Sequence, residues 1–264
     1  MLLPFTKAHG TANHFIIIYL PECQNFDLNE DLIQKLCNPN IGIGADGLLI
    51  VYNHNIYDYK IDYYNNDGTW ETMCANGARC VGLLMYEKKL IPNEAEFLAG
   101  DGIHKIKILD ETNVELTISS PKYISDKITI DNLSGFSIDS GAKHFVVEVK
   151  NNIELEWDVI GKKIRNSKYF QPNGTNVNFV KKINENTLEV ITYEKGVEQI
   201  MQSCGSGSVA AAYHMQRKYN LNNKLNIQTL GGDLFITSDP NWQNVWLKGE
   251  AKLLFNAKVN IKNI

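Results

Sequence analysis

The 264-residue sequence lacks the features that mark several large classes of protein. No apolar run approaches the roughly 20 residues that a membrane-spanning helix needs, and the best candidate, residues 15–20, has the length of a strand. The sequence also lacks the basic-then-apolar start of a signal peptide and any block of like charges, and its net charge is -4. We therefore expect a cytoplasmic protein with neither a membrane nor a nucleic acid as partner.

Cysteine is scarce, and the five cysteines are odd in number, which argues against a disulfide framework. The Cys-x-x-Cys pairs typical of redox and zinc sites are absent. No phosphate cradle with a partner lysine marks a pyridoxal phosphate site. We expect no metal and no cofactor, and we expect Cys23, Cys37 and Cys80 to be packing residues.

The chain repeats itself at an offset of 130 residues, the distance from Cys74 to Cys204. A β-type run, a turn and Cys-x-x-Gly occur in that order around both cysteines. The stretch from Gly10 to Phe15 similarly matches the one that ends at His144-Phe145, and 102–106 matches 232–236. These pairs predict two homologous domains, 1–121 completed by 256–264, and 122–255.

Short strand-like runs outnumber helix-like runs in both halves. The sequence predicts helices over 28–37, 76–88, 157–165 and 205–219, and strands that include 15–20, 48–52, 59–64, 145–149, 177–180 and 225–228. Strands and helices mix without a strict βαβ rhythm. The predicted fold class is therefore α+β, with two pseudo-symmetric domains, each a curled mixed sheet or barrel around a central helix.

Cys74 and Cys204 each stand just before a glycine-containing, apolar helical stretch. The backbone N–H groups and the positive dipole end of a helix N-terminus favour an anion, which lowers the pKa of a thiol there and can also hold a carboxylate. If each half places its cysteine on one side of a cleft, one thiolate takes the α-proton of an amino acid and the other thiol protonates the opposite face. The residues alone therefore favour a cofactor-independent amino-acid racemase or epimerase.

A series of motifs in fixed order supports this interpretation. The motifs are His9–Phe15, Gly42–Gly47, Asn65–Gly68, Cys74–Cys80, Gly141–His144, Asn176–Phe179, Tyr193–Gly196 and Ser203–Gly207. Over essentially the whole chain they resemble the diaminopimelate epimerase family of pyridoxal-phosphate-independent amino-acid racemases.

The resemblance implies that Cys74 and Cys204 are the two catalytic bases and that His144 and Glu194 assist them. It also implies a homodimer that interconverts LL- and meso-diaminopimelate, a precursor of lysine and peptidoglycan, without cofactor or metal. The substrate-binding residues that it implies are Asn13, Asn65, Ala75, Asn76, Gly77, Asn176, Glu194, Lys195, Gly205 and Ser206.

Departures from the family pattern leave alternatives open. The family has a proline-containing pair where this chain has Ala142-Lys143, an arginine at Lys195, and Glu-Thr at Ile200-Met201. A lysine is a point charge and does not grip a carboxylate as the planar fork of arginine does. The chain is alternatively a racemase of lanthionine, lysine, histidine or a small polar amino acid. More remote alternatives are a thiol redox or metal-binding protein and a non-catalytic binding protein.

Overall fold

A computed structural model describes residues 1–24, 27–150 and 156–264, which form two compact units. The N-terminal unit comprises 1–116 with 249–264, and the C-terminal unit comprises 117–248. The domain boundaries predicted from the sequence, after residues 121 and 255, remain a prediction.

The N-terminal unit contains the first seven strands, most of the eighth strand, the last strand and two helices. They are β1 (Leu2–Gly10), β2 (Asn13–Tyr19), α1 (Glu30–Cys37), β3 (Gly47–Tyr52), β4 (Tyr59–Asn65), β5 (Trp70–Glu71), α2 (Ala75–Glu87), β6 (Glu94–Ala99), β7 (Gly102–Ile108), β8 (Asn113–Ile118) and β19 (Lys252–Asn260). A short 3₁₀ helix, Leu20–Glu22, follows β2, and another, Ile261–Asn263, follows β19.

The C-terminal unit contains the remaining strands and two helices. They are β9 (Lys122–Tyr123), β10 (Ile128–Ile130), β11 (Leu133–Asp139), β12 (Lys143–Glu148), α3 (Trp157–Arg165), β13 (Asn176–Lys182), β14 (Thr187–Glu194), β15 (Gln199–Met201), α4 (Gly205–Tyr219), β16 (Lys224–Thr229), β17 (Gly232–Ser238) and β18 (Val245–Glu250).

The N-terminal sheet has the order β19-β1-β2-β3-β4-β6-β7-β8, in which β2–β3 and β4–β6 are parallel and the other neighbours antiparallel. Helix α2 packs against β19, β1, β2 and β3 and also against β7, so the sheet curls around it. Residues 75–85 of α2 are all buried. This helix is the centre of the unit.

The C-terminal sheet repeats this arrangement in the order β11-β12-β13-β14-β16-β17. Its β12–β13 and β14–β16 pairs are parallel, as their counterparts are. Helix α4 packs against β12, β13, β14, β16 and β17. The predicted fold class, two similar curled mixed sheets each around a central helix, is confirmed.

The continuous apolar sequence of β2 follows from burial on both of its faces. Ile16 and Ile18 pack with α1 in an outer core cluster, while Phe15 points to the α2 side, within contact distance of Gly77. In β12, Phe145 and Val147 likewise pack in the outer cluster with α3, and His144 points to α4.

The predicted pairing of His14-Phe15 with His144-Phe145 is therefore wrong by one residue. Phe15, which faces α2, is equivalent to His144, which faces α4, so the offset in these strands is 129. A shift of one residue in a strand moves a side chain to the opposite face of the sheet. His14 is accordingly exposed, whereas His144 is fully buried.

The helices lie close to their predicted positions. Helix α1 begins at Glu30 rather than at Leu28 because the side chain of Asn29 caps it, accepting a hydrogen bond from the N–H of Leu32 at 2.9 Å. Within the described residues, no helix has the length and apolarity that crossing a bilayer requires.

Candidate active site

Cys74 is the N-cap residue of α2, and the residue is partly exposed. The first backbone hydrogen bond of the helix runs from the N–H of Ala78 to the carbonyl of Cys74 at 2.8 Å. The first turn of any helix directs its N–H groups outward without an acceptor inside the helix. Cys74 thus lies at the electropositive end of a buried helix.

A chain of hydrogen bonds connects this turn to the start of β2. Asn76 Nδ2 donates to Asn13 Oδ1 at 3.3 Å, and the sulfur of Cys74 lies 3.9 Å from the same oxygen. Asn13 Nδ2 donates to the carboxylate of Asp46 at 2.7 Å. Arg79 donates to Asn76 Oδ1 at 2.9 Å.

The two ends of this chain orient both asparagines. The carboxylate of Asp46 only accepts hydrogen bonds and the guanidinium of Arg79 only donates them. Asn13 must therefore present its NH₂ to Asp46 and its oxygen towards Cys74, and Asn76 must present its oxygen to Arg79. The arrangement holds a hydrogen-bond acceptor beside the thiol.

Asn65 lies at the same end of the N-terminal sheet. It ends β4 opposite Gly47, which is itself paired with Phe15 in β2. Asn65 is buried, accepts a hydrogen bond from the hydroxyl of Tyr63 at 2.8 Å and donates to Thr69 at 3.3 Å. The N–H of Asn66 bonds the carbonyl of Asp46, which ties this turn to the segment beside Asn13.

Cys204 is the N-cap residue of α4 and is also partly exposed. Its sulfur lies 3.7 Å from the hydroxyl of Ser206, and this hydroxyl lies 2.9 Å from Nε2 of His144. The family resemblance implies that Ser206 binds substrate, and the structure adds that its side chain bridges the thiol and the imidazole.

The tautomer of His144 follows from its neighbours. Asn178 Nδ2 donates to Thr192 at 2.7 Å, so the Asn178 oxygen accepts from His144 Nδ1 at 2.8 Å. Nε2 is then the acceptor for the Ser206 hydroxyl, whose oxygen can accept a proton from the Cys204 thiol. Complete burial lowers the pKa of His144 from 6.5 to about 4, so the imidazole is neutral at pH 7.

Asn176, Glu194 and Lys195 lie at the same end of the C-terminal sheet. Asn176 begins β13 and is paired in register with His144. Its side chain accepts the N–H of Lys195 at 2.8 Å and donates to the carbonyl of Lys143 at 3.3 Å. Glu194 ends β14 immediately before Lys195. When β4 and β14 are aligned through their pairing with β3 and β13, Glu194 is the counterpart of Asn65.

The glycines of the two first turns permit close helix–sheet packing. A Cβ on Gly77 would lie 2.8 Å from the end of the Leu49 side chain, and a Cβ on the equivalent Gly207 would lie 2.2 Å from Asn178 Nδ2. Ala75, Gly77, Gly205 and Gly207 are all buried. These turns therefore sit directly on the strands that carry the polar side chains.

The remaining cysteines are separate from these two sites. Burial raises the pKa of both Cys37 and Cys80 to about 12, so both are neutral thiols at pH 7. Cys23 is partly buried and lies 3.4 Å from the carbonyl of Tyr19. The part of the chain that the structure describes contains no group of three or more His, Cys, Asp or Glu placed to hold a metal ion.

Sequence reasoning missed several polar residues behind both cysteines. They are Thr11, Arg79, Asn178 and Thr192, which are buried, and Asp46, which is partly buried. Asp46 and Arg79 lie inside motifs that were noted, and the signal available for them was an ionisable residue within an otherwise apolar or glycine-rich segment.

Comparison with known proteins adds independent evidence. The family model described as diaminopimelate epimerase matches residues 5–124 and 136–254. The chain is 34% identical to the diaminopimelate epimerase of Flavobacterium psychrophilum over 96% of this chain and 98% of that one. It is 32% identical to the diaminopimelate epimerase of Aquifex aeolicus over 98% of each chain.

The fold recurs in distant solved structures. The crystal structure of a hydroxyproline epimerase from Agrobacterium vitis, with bound trans-4-hydroxy-L-proline, superposes with a TM-score of 0.73 at 12% identity, covering 98% of this chain and 92% of that one. At that identity the similarity establishes the fold alone. The matched family model and the near-full-length relatives together show that this chain belongs to the diaminopimelate epimerase family.

Proposed function

We propose that this protein interconverts LL- and meso-diaminopimelate by moving the α-proton between the two faces of the carbon, with Cys74 and Cys204 as the two acid–base groups. The observation that carries the proposal is the repetition of one device. Each unit places a partly exposed cysteine at the N-terminus of its buried central helix, beside a polar side-chain network.

The helix N-terminus in each unit can bind the α-carboxylate. The N–H groups of Asn76 and Gly77 in α2, and those of Gly205 and Ser206 in α4, belong to first helical turns, where N–H groups are directed at an anion. As the α-proton leaves, negative charge builds up on that carboxylate. Donors already in position stabilise this charge more than they stabilise the ground state, which lowers the barrier.

The proton transfers balance without a cofactor. The thiolate on one face breaks the Cα–H bond and becomes a thiol, and the electron pair is delocalised into the carboxylate. The thiol on the other face then protonates Cα and becomes a thiolate. The configuration is inverted, the two sulfurs have exchanged protonation states, and the reverse reaction uses the same steps.

His144 acts on Cys204 through Ser206. A thiol proton of Cys204 can pass to Ser206 while the Ser206 proton passes to Nε2 of His144. Because burial lowers the pKa of His144 to about 4, the proton is held weakly there and returns readily. The relay therefore favours the thiol form of Cys204 at rest, which is the form that donates a proton.

Residues at the ends of the strands bind the ammonium groups and the distal carboxylate of the substrate. The oxygens of Asn13 and Glu194 are acceptors for ammonium groups, and Asn65 and Asn176 supply amide contacts. Lys195, whose backbone is bonded to Asn176, supplies the positive charge for the distal carboxylate. The acceptor oxygens match the ammonium groups of diaminopimelate, and the single cation matches its distal carboxylate.

The test is α-proton exchange in D₂O, followed by NMR, for LL-diaminopimelate and for a panel of single-carboxylate amino acids, lanthionine included. We expect LL-diaminopimelate to exchange fastest. Cys74→Ala and Cys204→Ala should each lower stereoisomer interconversion by at least about 10³-fold, because each removes a general acid–base group. Cys23→Ala, which changes a partly buried cysteine outside both sites, should retain wild-type activity.

The panel separates this proposal from its nearest competitor. If another amino acid exchanges while diaminopimelate does not, the two-thiol mechanism stands and the substrate assignment fails. Ala142, Lys143 and Lys195 are then the positions to exchange for the family residues. Full activity in both cysteine variants would rule out the mechanism itself.

We propose in addition a cytoplasmic homodimer that needs no pyridoxal phosphate. The two thiols supply the acid–base chemistry for which other racemases use that cofactor. Apolar side chains on the paired strands β1 and β19 support self-association, since Leu2, Leu254 and Phe255 are 60%, 46% and 52% exposed. Light scattering on the purified protein measures the oligomeric state.

A further inference from the structure

Arg79 lies in α2, one turn beyond Cys74, and its side chain is fully buried. Its Nη2 donates to Thr11 Oγ1 and to Asn76 Oδ1, both at 2.9 Å, and its Nη1 lies 3.4 Å from the carbonyl of Ala75. Its Nε has no hydrogen-bond partner among the described residues. A buried cation with neutral partners and an unused donor is expensive for a fold unless its charge is needed.

The charge of Arg79 is directed at thiols. Burial lowers the pKa of Arg79 to about 10, so the guanidinium stays protonated at pH 7, and the groups whose charge acts on it most are Cys80 and Cys74. Cys80 is fully buried and its pKa is raised to about 12, so it carries no charge at pH 7. Cys74 is left as the group whose thiolate can compensate the cation.

Other charged groups near the helix interact with one another or with His9. Asp46, which bonds Asn13, interacts with the ammonium group of Lys7 on β1, and that group donates to the carbonyl of Gly44. On the β19 side, Lys252 and Glu250 act on His9 with opposite signs. Arg79, by contrast, donates its hydrogen bonds to the neutral groups of Thr11, Asn76 and Ala75.

The C-terminal unit provides the comparison. The residue equivalent to Arg79, at the offset that relates Cys74 to Cys204, is Val209, which is fully buried. Cys204 has instead the neutral Ser206–His144 relay. A cation lies behind one cysteine and a neutral acceptor chain lies behind the other.

We infer that Arg79 is a positioning residue that stabilises the thiolate of Cys74, so that the free enzyme rests with Cys74 as the base and Cys204 as the acid. It acts through its charge, which hydrogen bonds to Asn76 and Thr11 hold behind the first turn of α2. The inference rests on the proposed function for its catalytic meaning. The ionisation of the two thiols can be measured without any substrate.

The experiment measures iodoacetamide alkylation rates of individual cysteines across pH in the intact protein, with peptide mass spectrometry as readout. In the wild type, the midpoint pH for Cys74 should lie below that for Cys204, with Cys23 as a reference thiol. Arg79→Met should raise the Cys74 midpoint by about one unit or more and leave the Cys204 midpoint in place, since it removes a close opposite charge. Arg79→Lys, which keeps the charge, should hold the Cys74 midpoint near the wild-type value.

An unchanged Cys74 midpoint in folded Arg79→Met protein would overturn the inference. Equal shifts at Cys74 and Cys204 would also overturn it, because they would indicate general loosening of the fold. If Arg79→Met does not fold, the wild-type order of the two midpoints decides, and a Cys74 midpoint at or above that of Cys204 rejects the inference. Failure of the proposed function has a different signature, namely absent α-proton exchange with normal thiol titration.

Discussion

The two units place the buried ionisable residue behind their cysteine at different positions on the same frame. In the N-terminal unit it lies on the helix, at Arg79, and the strand positions beneath α2 are the apolar or aromatic Phe15, Leu49 and Tyr63. In the C-terminal unit it lies on the strands. The equivalent positions there are His144, Asn178 and Thr192, and the helix has Val209.

This difference shows how two similar units can favour opposite protonation states of their cysteines. What both units share is the helix N-terminus with its cysteine, which stabilises an anion wherever it occurs. What differs is the group behind the cysteine, which is a fixed positive charge in one unit and a neutral proton acceptor in the other. A fixed cation favours a thiolate, and a chain of neutral groups that ends in a weak base favours a thiol. Three predictions test whether this contrast holds.

The largest expected effect concerns the buried imidazole of the C-terminal unit. Above pH 6.5 His144 is neutral in both folded and unfolded chains. As the pH falls from 6.5 towards 4, the unfolded chain takes up a proton that the folded protein refuses, because burial holds the pKa of His144 at about 4. Through this linkage alone, the free energy of unfolding should fall in this window by up to roughly 3 kcal/mol, and the contribution of His144 should not grow below it.

Urea unfolding at pH 7, 5.5 and 4.5 measures that loss. His144→Gln should remove roughly that part of the pH dependence, whereas His14→Gln, at an exposed position in β2, should leave it unchanged. Identical pH dependence in wild type and His144→Gln would show that the buried imidazole does not distinguish the two units.

The second effect concerns the relay. Ser206→Ala removes the hydroxyl between Cys204 and His144 and should lower kcat by roughly 10²-fold, as loss of a proton-transfer step does. Ser208→Ala is the matched control, since it removes a serine hydroxyl from the same turn that bonds the carbonyl of Cys204 rather than the imidazole. Steady-state kinetics should place Ser208→Ala within about threefold of wild type. Equal losses in both variants would assign the effect to the helix turn rather than to the relay.

The smallest effect compares the equivalent glycines of the two helices. Gly207→Ala places a methyl group 2.2 Å from an amide that Thr192 and His144 hold on both sides, and it should destabilise the protein by about 2 kcal/mol. Gly77→Ala meets chiefly the flexible end of Leu49, at 2.8 Å, with the edge of the Phe15 ring at 3.3 Å, and the better helix propensity of alanine offsets most of the strain. Thermal unfolding of both variants measures the difference, and equal destabilisation would contradict the tighter packing of the C-terminal site.

The sequence predicted what local patterns encode. Helices over 157–165 and 205–219 have the predicted bounds, and the repeated Cys-x-x-Gly located both helix N-termini, because a turn followed by an apolar periodic run is a local signal. The repeat pointed to Cys74 and Cys204 as the acid–base pair, and the resemblance added His144 and Glu194. The fold class followed from the mixture of strand and helix patterns together with the repeat.

The unpredicted features depend on contacts between distant residues. Arg79 bonds Thr11 and Asn178 bonds His144, and no local pattern links those positions. The one-residue error at His144 arose because two histidine–phenylalanine pairs matched in sequence while the strand alternation, which decides the face, did not. Side-chain identity aligned the letters, but burial decides which residues are equivalent.

The hydrogen bonds that hold the Asn76 side chain also bear on the chemical stability of this protein. Asn76 precedes Gly77, the pairing most prone to deamidation, in which the backbone nitrogen of the glycine attacks the side-chain carbonyl of the asparagine. Here Arg79 and Asn13 hold both ends of that amide and the helix fixes the backbone. The exposed Asn173, which precedes Gly174 in a loop, has no helix to restrain it. Chemical damage should therefore accumulate at the loop while the folded site keeps its asparagine, and a molecule that has unfolded even briefly is the one at risk of losing it.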